Sequence, residues 1–237
     1  MVQAPEIVLS ALSFSRSSLE KASEQGIIAR VKLEQIKHEL ERELKVAFII
    51  YDGMTTFDFI GAFEPITKLK TLELVPNLKW DVCAFKHKVV KDQIGLRIIA
   101  DKFGKSLRGY DIVIIPGGPG SRILVKNTPF INWIKTADNP SLKVSVCTGA
   151  LVLGAAGFLE GKKATTHHSA FELLAKYCSG VIRDKRIVDE GDVITAGGVT
   201  AALDLGMYLC EKYAGKGGAK KIRKQIEYFQ YSYKTAK

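Results

Sequence analysis

The sequence lacks the features that mark a membrane-spanning, secreted or metal-binding protein. No apolar run approaches the roughly 18–20 residues that a membrane span requires. Its cysteines are Cys83, Cys147, Cys178 and Cys210. They are far apart and form no C-x-x-C pair, which disfavours a zinc site and a disulfide-stapled fold. The first residues lack a charged segment followed by an apolar one, so we expect no secretory signal. These absences predict a cytoplasmic protein that does not enter a membrane.

Acidic residues are few relative to basic ones. The 237 residues include 25 acidic and 35 basic side chains, which gives a formal net charge of +10. Such an excess can indicate nucleic acid or an anionic surface. The basic residues cluster at 216–224, however, with no nucleic-acid motif and few aromatic residues among them. We interpret this cluster as a solvated basic helix and expect no nucleic-acid partner.

The first 44 residues contain no strand-like run. Apolar residues recur there at helical spacing, namely Val31, Leu33, Ile36, Leu40 and Leu44. This pattern predicts an amphipathic helix whose apolar stripe must pack on the domain or on a second subunit. We therefore predict an N-terminal helical extension over 1–44, followed by an α/β domain over 45–237.

From residue 45 onward, short apolar runs alternate with helical segments. The predicted strands cover 46–50, 80–85, 112–115, 144–146 and 192–196, and a predicted helix covers 57–74. Continuous apolar strands alternating with helices are typical of a parallel sheet covered on both faces. The predicted fold class is α/β, with a doubly wound, mostly parallel, flavodoxin-like sheet. In such sheets, sites form at the carboxyl ends of strands, where glycine-bearing turns occur at 117–120, 147–149 and 197–198.

Cys147 stands at one of these strand ends. An apolar strand stops at this cysteine and a helix of small residues begins at once, with Gly149 and Ala150 leaving room for a tight turn. This is the arrangement of a nucleophile elbow. The helix start should favour the thiolate, and the backbone N–H groups of the turn could hold a developing anion. The alternative is an inert, buried cysteine.

Four motifs occur in an order that resembles the ThiJ/PfpI superfamily, whose fold is class I glutamine-amidotransferase-like. They are Ile-Pro-Gly-Gly at 115–118, Cys-Thr-Gly at 147–149, Gly-Lys-Lys-Ala-Thr-Thr-His at 161–167 and Ile-Thr-Ala-Gly-Gly-Val-Thr at 194–200. The stretch around Cys147 and the segment Thr-Thr-Phe-Asp-Phe-Ile-Gly at 55–61 also resemble the isonitrile hydratases and the amidase-like domains of AraC-type regulators.

This resemblance implies roles for individual residues. Cys147 matches the nucleophile, and Asp58 matches an acidic residue that approaches the thiol. An apolar setting among Phe57, Phe59 and Ile60 should raise the pKa of the Asp58 carboxyl, although a helix-capping role is the alternative. Thr148 supplies an N–H group beside the sulfur, and its hydroxyl is a further candidate there.

Other residues are implied in binding rather than in the reaction itself. Gly117 and Gly118 match the turn whose N–H group completes an anion pocket, and His167 matches a histidine near that pocket, where a packing role is equally open. Peptidase-like members carry histidine at the position of Thr148, so the resemblance does not extend to a Cys–His protease. His167 and His168 are adjacent and cannot form a helical metal-binding face, so we expect no metal. Glu64 is either a site residue or a solvated helix residue.

The favoured function is a cofactor-free enzyme that hydrates a small-molecule substrate, an isonitrile, to an N-substituted formamide. Three alternatives stay open: a glyoxalase or deglycase activity, a redox-sensing stress role through Cys147, and a ligand-sensing regulatory domain. The residues that follow Tyr228 hold no helix-turn-helix motif, which disfavours the regulatory domain. The resemblance also implies a homodimer.

Overall fold

The computed structural model describes residues 43–137 and 141–229. The predicted N-terminal extension over 1–44 lies outside the described residues except for its last two, and the predicted domain over 45–237 extends beyond them. Leu44 already belongs to the first strand. The extension and its boundary therefore stay predictions.

A seven-stranded sheet forms the centre of the fold. The strands are β1 (Leu44–Ile50), β2 (Leu78–Ala84), β3 (Val89–Lys91), β4 (Arg97–Ile99), β5 (Lys102–Phe103), β6 (Ile112–Ile115), β7 (Leu142–Val146), β8 (Lys163–Ala164), β9 (Gly180–Val181), β10 (Ile187–Asp189) and β11 (Val193–Ala196). The central sheet has the order β10-β11-β7-β6-β1-β2-β5. Its pairings are parallel except that of β10 with β11.

Helices cover both faces of this sheet. They are α1 (Thr56–Thr71), α2 (Pro119–Leu124), α3 (Thr128–Ile134), α4 (Gly149–Ala155), α5 (Phe171–Leu174) and α6 (Ala201–Gln225), with a short 3₁₀ turn at His168–Ala170. Helices α1 and α6 pack together on one face, whereas α4 packs with α2, α3 and α5 on the other. Helix α6 is broken at Gly215, whose φ of 65° lies outside the helical region.

The core is the middle of the sheet, as the apolar runs predict. Residues 46–50 of β1 are fully buried, and β6, β7 and β11 are buried along their whole length. Strands enclosed on both faces need apolar side chains at every position, which explains why they show no alternation. The predicted doubly wound α/β fold with a mostly parallel sheet is confirmed.

The chain order of the strands also fixes where a site can form. From β1 the chain runs outward to β2, and it then returns to place β6 on the other side of β1. The strand order therefore reverses between β1 and β6, and the crevice at their carboxyl ends is where ligands bind in open α/β sheets. The segments that follow β1, β6, β7 and β11 all begin at this end of the sheet.

Several elements were not predicted, among them three groups of short strands. The hairpin of β3 and β4, the short pair of β8 and β9, and the antiparallel strand β10 have short or half-exposed strands without a continuous apolar run. Among the described residues, no helix has both the length and the apolar character needed to cross a membrane.

Candidate active site

Cys147 occupies a strained turn between β7 and α4. Its φ is +55°, a left-handed conformation that is uncommon for a residue other than glycine and often occurs at functional sites. The turn is held from the neighbouring strand, because Cys147 N–H donates to the backbone oxygens of Ala196 and Gly197 at 3.0 and 2.9 Å. Its own carbonyl accepts a bond of 2.7 Å from the Thr166 hydroxyl. The predicted elbow geometry is therefore present.

The turn after β6 packs directly against this elbow. A Cβ atom at Gly117 would lie 2.4 Å from the Thr148 nitrogen and 2.8 Å from the Cys147 Cβ. A Cβ atom at Gly149 would lie 2.3 Å from the carbonyl oxygen of Ile115. Distances below 3.0 Å are not tolerated, so glycine at 117 and 149 is what lets the two turns meet.

Asp58 reaches the same place from the first turn of α1. Its side chain is fully buried, and its Oδ2 accepts a 2.9 Å hydrogen bond from Gly117 N–H. Its partner thus lies after β6, and the residue at the N-cap of α1 is Thr55. The alternative that Asp58 caps its own helix is wrong. The structure brings its carboxyl to the turn beside Cys147.

Thr148 holds the two turns together through its hydroxyl. Thr148 Oγ1 accepts bonds from Gly118 N–H at 2.9 Å and from Ser121 Oγ at 2.8 Å. Gly118 N–H was expected to complete an anion pocket, and here it is bonded to Thr148 instead. Gly117 N–H is likewise bonded to Asp58. An anion-binding role for Gly117 and Gly118 stays a prediction that requires these bonds to be exchanged.

The comparison with known proteins agrees with this architecture. The model of the DJ-1/PfpI family matches residues 44–212. The chain belongs to the DJ-1/PfpI family. It is 30% identical over 187 residues to an isonitrile hydratase of Pseudomonas putida, a match that covers 78% of each chain.

Two solved structures of this family have the same fold. A ThiJ/PfpI family protein from Pseudomonas syringae has a TM-score of 0.72 and 27% sequence identity, covering 82% of this chain and 79% of its own. DJ-1beta of Drosophila melanogaster has a TM-score of 0.67 and 22% identity, covering 78% of this chain and 98% of its own. The predicted resemblance to the ThiJ/PfpI superfamily is confirmed.

In this DJ-1/PfpI chain, the resting cysteine is a thiol. Burial, and after it the charge of Asp58, raise the pKa of Cys147 to about 11, although the N–H groups of Thr148 and Val199 and the Thr148 hydroxyl act to lower it. The expectation that the helix start favours the thiolate is therefore wrong. Helix α4 has only seven residues, and removal of the sulfur from water outweighs its partial charge.

The Asp58 carboxyl titrates near neutrality. Burial raises its pKa to about 7, while Gly117 N–H and the Cys147 thiol, both acting as hydrogen-bond donors, lower it. Its Oδ1 atom is buried and has no hydrogen-bond partner within residues 43–137 and 141–229. A carboxyl with a pKa near the working pH can both accept and deliver a proton.

A cleft of about 370 Å³ lies beside the elbow. Its walls are formed by the segments 165–168, 183–186 and 197–201 and by Phe171. His167 is one of its lining residues, and its role in binding stays a prediction. Val199 also lines the cleft and directs its N–H toward the Cys147 sulfur. Neither Cys147 nor Asp58 lines the cleft, so Val199 is the residue that links the cleft to the sulfur.

Several residues of the site were not predicted to belong to it. Tyr51 is buried and donates a 2.5 Å hydrogen bond to Pro116 O. Burial raises the pKa of its hydroxyl most, and the charges of Asp58 and Cys147 raise it too. Ser121 and Thr166 fix the two turns as described above. Only the assembled sheet brings these hydroxyls to the site, since their partners lie far away in the chain.

Glu64 is not part of the site. Its carboxylate pairs with Lys68 at 2.7 Å on the surface of α1, with nearly half of its side chain exposed. The alternative of a solvated helix residue is therefore the one that the structure supports. Within the described part of the chain, no three His, Cys, Asp or Glu side chains are arranged to hold a metal ion.

Proposed function

We propose that this protein is a cysteine-dependent hydratase that converts small isonitriles, R–N≡C, to N-substituted formamides, R–NH–CHO, without a cofactor. The observation that carries the proposal is the pairing of the Cys147 thiol with the buried carboxyl of Asp58. The thiol is a nucleophile on a strained turn, and the carboxyl has a pKa of about 7. Addition of a thiol to an isonitrile needs a nucleophile and one group that moves protons.

In the first step, the sulfur attacks the terminal carbon of the isonitrile. Ionised Asp58 takes the thiol proton as the S–H bond breaks and the S–C bond forms. The same carboxyl then delivers this proton to the attacked carbon, giving a thioimidate, R–N=CH–S–Cys147. Both proton transfers suit a carboxyl with a pKa near the working pH.

In the second step, water adds to the thioimidate carbon. Asp58 takes a proton from the water as the C–O bond forms and passes it to the substrate nitrogen, which gives R–NH–CH(OH)–S–Cys147. The C–S bond then breaks as the hydroxyl becomes the formamide carbonyl, and the sulfur recovers its proton. The sum is R–N≡C + H₂O → R–NH–CHO, and the cleft beside Val199 has room for a small R group.

The similarity to an isonitrile hydratase supports this reaction. It extends over 78% of both chains and includes the segments that carry Cys147 and Asp58. The raised pKa of the thiol also fits it, because a neutral thiol supplies both the sulfur and the hydrogen that the isonitrile carbon gains in the first step.

The enzyme is further proposed to act as a homodimer. Six apolar side chains on α1 and on the β3–β4 hairpin are each at least 43% exposed, namely Phe57, Ile60, Val89, Ile94, Leu96 and Ile99. The hairpin is fixed to the start of α1, since Gln93 N–H donates to Met54 O at 3.0 Å and the Thr56 hydroxyl to Asp92 at 2.7 Å. Exposed apolar groups gathered in one region commonly mark an interface.

A substrate panel tests the proposed reaction. Wild type and Cys147→Ala are incubated with an alkyl isonitrile, methylglyoxal or a peptide, and products and protein adducts are identified by mass spectrometry. We expect formamide from the isonitrile with wild type only, and a Cys147 adduct one isonitrile heavier than the free protein. If wild type converts methylglyoxal and leaves the isonitrile unchanged, the proposed hydratase activity is wrong and a glyoxalase activity takes its place.

A further inference from the structure

A chain of three polar side chains ends at His167, which lines the cleft. The Arg122 guanidinium donates to Ser169 Oγ at 3.0 Å, and Ser169 Oγ lies 2.9 Å from His167 Nδ1. The backbone N–H of Ser169 also donates to His167 Nδ1 at 3.2 Å. These contacts lie outside the Cys147–Asp58 pair, and the steps of the proposed reaction do not use them.

The backbone N–H of Ser169 indicates the direction of the bonds to His167. A backbone N–H is only a donor, so His167 Nδ1 accepts from it and does not carry a hydrogen. The contact between Nδ1 and Ser169 Oγ is then a bond that the hydroxyl donates. Ser169 Oγ accepts in turn from Arg122, because a guanidinium has no acceptor. In the neutral ring the proton must be on Nε2.

The surroundings also keep this ring neutral. Burial lowers the pKa of His167, and the charges of His168 and Arg122 lower it further. The His168 ring is the one stacked nearest, with its centroid 4.1 Å away. Protonation would add a hydrogen to Nδ1, where it would face the two Ser169 donors.

The other edge of the ring lies against the wall that serves Cys147. A Cβ atom at Gly198 would meet His167 Cδ2 at 2.4 Å and Nε2 at 3.3 Å, so this edge packs on the backbone of Gly198. The next residue, Val199, directs its N–H at the Cys147 sulfur. The Nε2–H group and Val199 N–H thus belong to the same wall of the cleft.

We propose that Ser169 and Arg122 are positioning residues that hold His167 with its proton on Nε2, and that this N–H binds the substrate nitrogen as the carbon–sulfur bond forms. The second half of this inference rests on the proposed function. The nitrogen of a free isonitrile is a poor acceptor because its lone pair is shared with carbon. When sulfur adds to the carbon, the nitrogen gains a localised lone pair. A fixed N–H donor then binds the adduct more strongly than the substrate, which lowers the barrier.

The tautomer is tested by ¹⁵N NMR of the histidine-labelled full-length protein, with the His167 signals assigned by comparison with His167→Gln. We expect an acceptor-type Nδ1 and a protonated Nε2 near neutral pH. In Ser169→Ala the imidazole loses one donor, so its pKa should rise and both tautomers should be populated. Ser169→Thr keeps the hydroxyl and should restore the wild-type spectrum. A wild-type ring with its proton on Nδ1, or an Ala variant with an unchanged spectrum, overturns the positioning role.

The substrate contact is tested by kinetics with the same isonitrile. His167→Leu removes the donor and should lower kcat by roughly 10- to 100-fold with KM little changed, whereas His167→Gln retains an N–H donor and should recover part of that loss. Ser169→Ala should lower kcat less, by roughly 3- to 10-fold, and Ser169→Thr should restore it. Ser106→Ala is the control for loss of an exposed serine hydroxyl, since Ser106 lies on an exposed loop, where its Oγ accepts a bond from Arg108 N–H.

Equal kcat values for wild type and His167→Leu would overturn the contact with the substrate nitrogen. If wild type turns over no isonitrile at all, the proposed function fails and that contact fails with it. The NMR spectra still decide whether Ser169 and Arg122 fix the tautomer.

Discussion

Gly117 N–H holds the Asp58 carboxyl at 2.9 Å beside the elbow of Cys147, and the charge of that carboxyl raises the pKa of the Cys147 thiol. Both groups are buried, so each is harder to ionise than it is in water. At neutral pH the site holds a protonated sulfur next to a carboxyl that is about half ionised. A site of this kind generates its thiolate only as the substrate reacts. Its pH dependence, stability and response to mutation follow from this pairing.

The pH profile of kcat/KM should report Asp58. Only the ionised carboxyl can take the thiol proton, so kcat/KM for an isonitrile should rise with pH through an apparent pKa of about 7 and then level off. Asp58→Asn should lower kcat by roughly 100-fold or more and abolish this limb of the profile. A wild-type profile that is flat between pH 5.5 and 8.5 contradicts the assignment of Asp58 as proton carrier.

The same carboxyl should make stability depend on pH. Its pKa is raised from 3.8 to about 7 on folding, so between these values the native state binds a proton that the unfolded chain has lost. Stability from this group is present at low pH and is lost as pH rises toward 7. Relative to Asp58→Asn, the wild-type free energy of unfolding should fall by about 2–3 kcal/mol between pH 5 and pH 8.

Urea denaturation of both proteins at each pH measures this difference, and other titrating groups cancel in the comparison. A difference that is independent of pH, or one that grows in favour of wild type as pH rises, means that the carboxyl is not held in the buried state described here.

The Thr148 hydroxyl should stabilise the junction of the two turns. Thr148→Val leaves Gly118 N–H without its acceptor and removes a partner of Ser121 in a buried site. We expect a loss of about 1–3 kcal/mol in the free energy of unfolding. Thr148→Ser keeps the hydroxyl and is the matched control. If the Val variant is as stable as the Ser variant, the hydroxyl does not hold the turns together.

Assembly can be tested on the exposed apolar side chains of the hairpin. A Leu96→Lys/Ile99→Lys double variant places two charges where we propose the subunits to meet, so light scattering should show a monomer in place of the wild-type dimer. Ile123→Lys, at an exposed isoleucine on α2, is the control and should stay dimeric. If the double variant is still a dimer, the interface does not lie at the hairpin. If wild type is a monomer, the proposed dimer itself is wrong.

Much of the fold could be predicted because the central strands are buried on both faces. The run at 112–115 coincides with β6, and the helix predicted over 57–74 is observed as Thr56–Thr71. The β3–β4 hairpin could not be predicted in this way, because most of its side chains are exposed. The two strands are held by backbone hydrogen bonds to each other, so they do not need a continuous apolar run in the sequence.

The candidate site was predictable in position but not in its electrostatics. The raised pKa of Asp58 was expected from neighbouring apolar residues, yet Phe57 and Ile60 are more than 40% exposed. What buries the carboxyl is the turn after β6, where Gly117 meets the elbow. The same enclosure reverses the expected effect of the helix on Cys147. Hydroxyls such as that of Ser121 reach the site only through long-range packing, which residue spacing does not reveal.

The most direct test of the account follows the carbon of the substrate itself. An alkyl isonitrile labelled with ¹³C at its terminal carbon is added to wild type, Cys147→Ser and Asp58→Asn at pH 7.5 and observed by ¹³C NMR. The account predicts N-alkyl formamide from wild type, none above background from Cys147→Ser, and at least a roughly 100-fold slower reaction with Asp58→Asn. Formamide produced by Cys147→Ser at the wild-type rate, or no formamide from wild type, contradicts it.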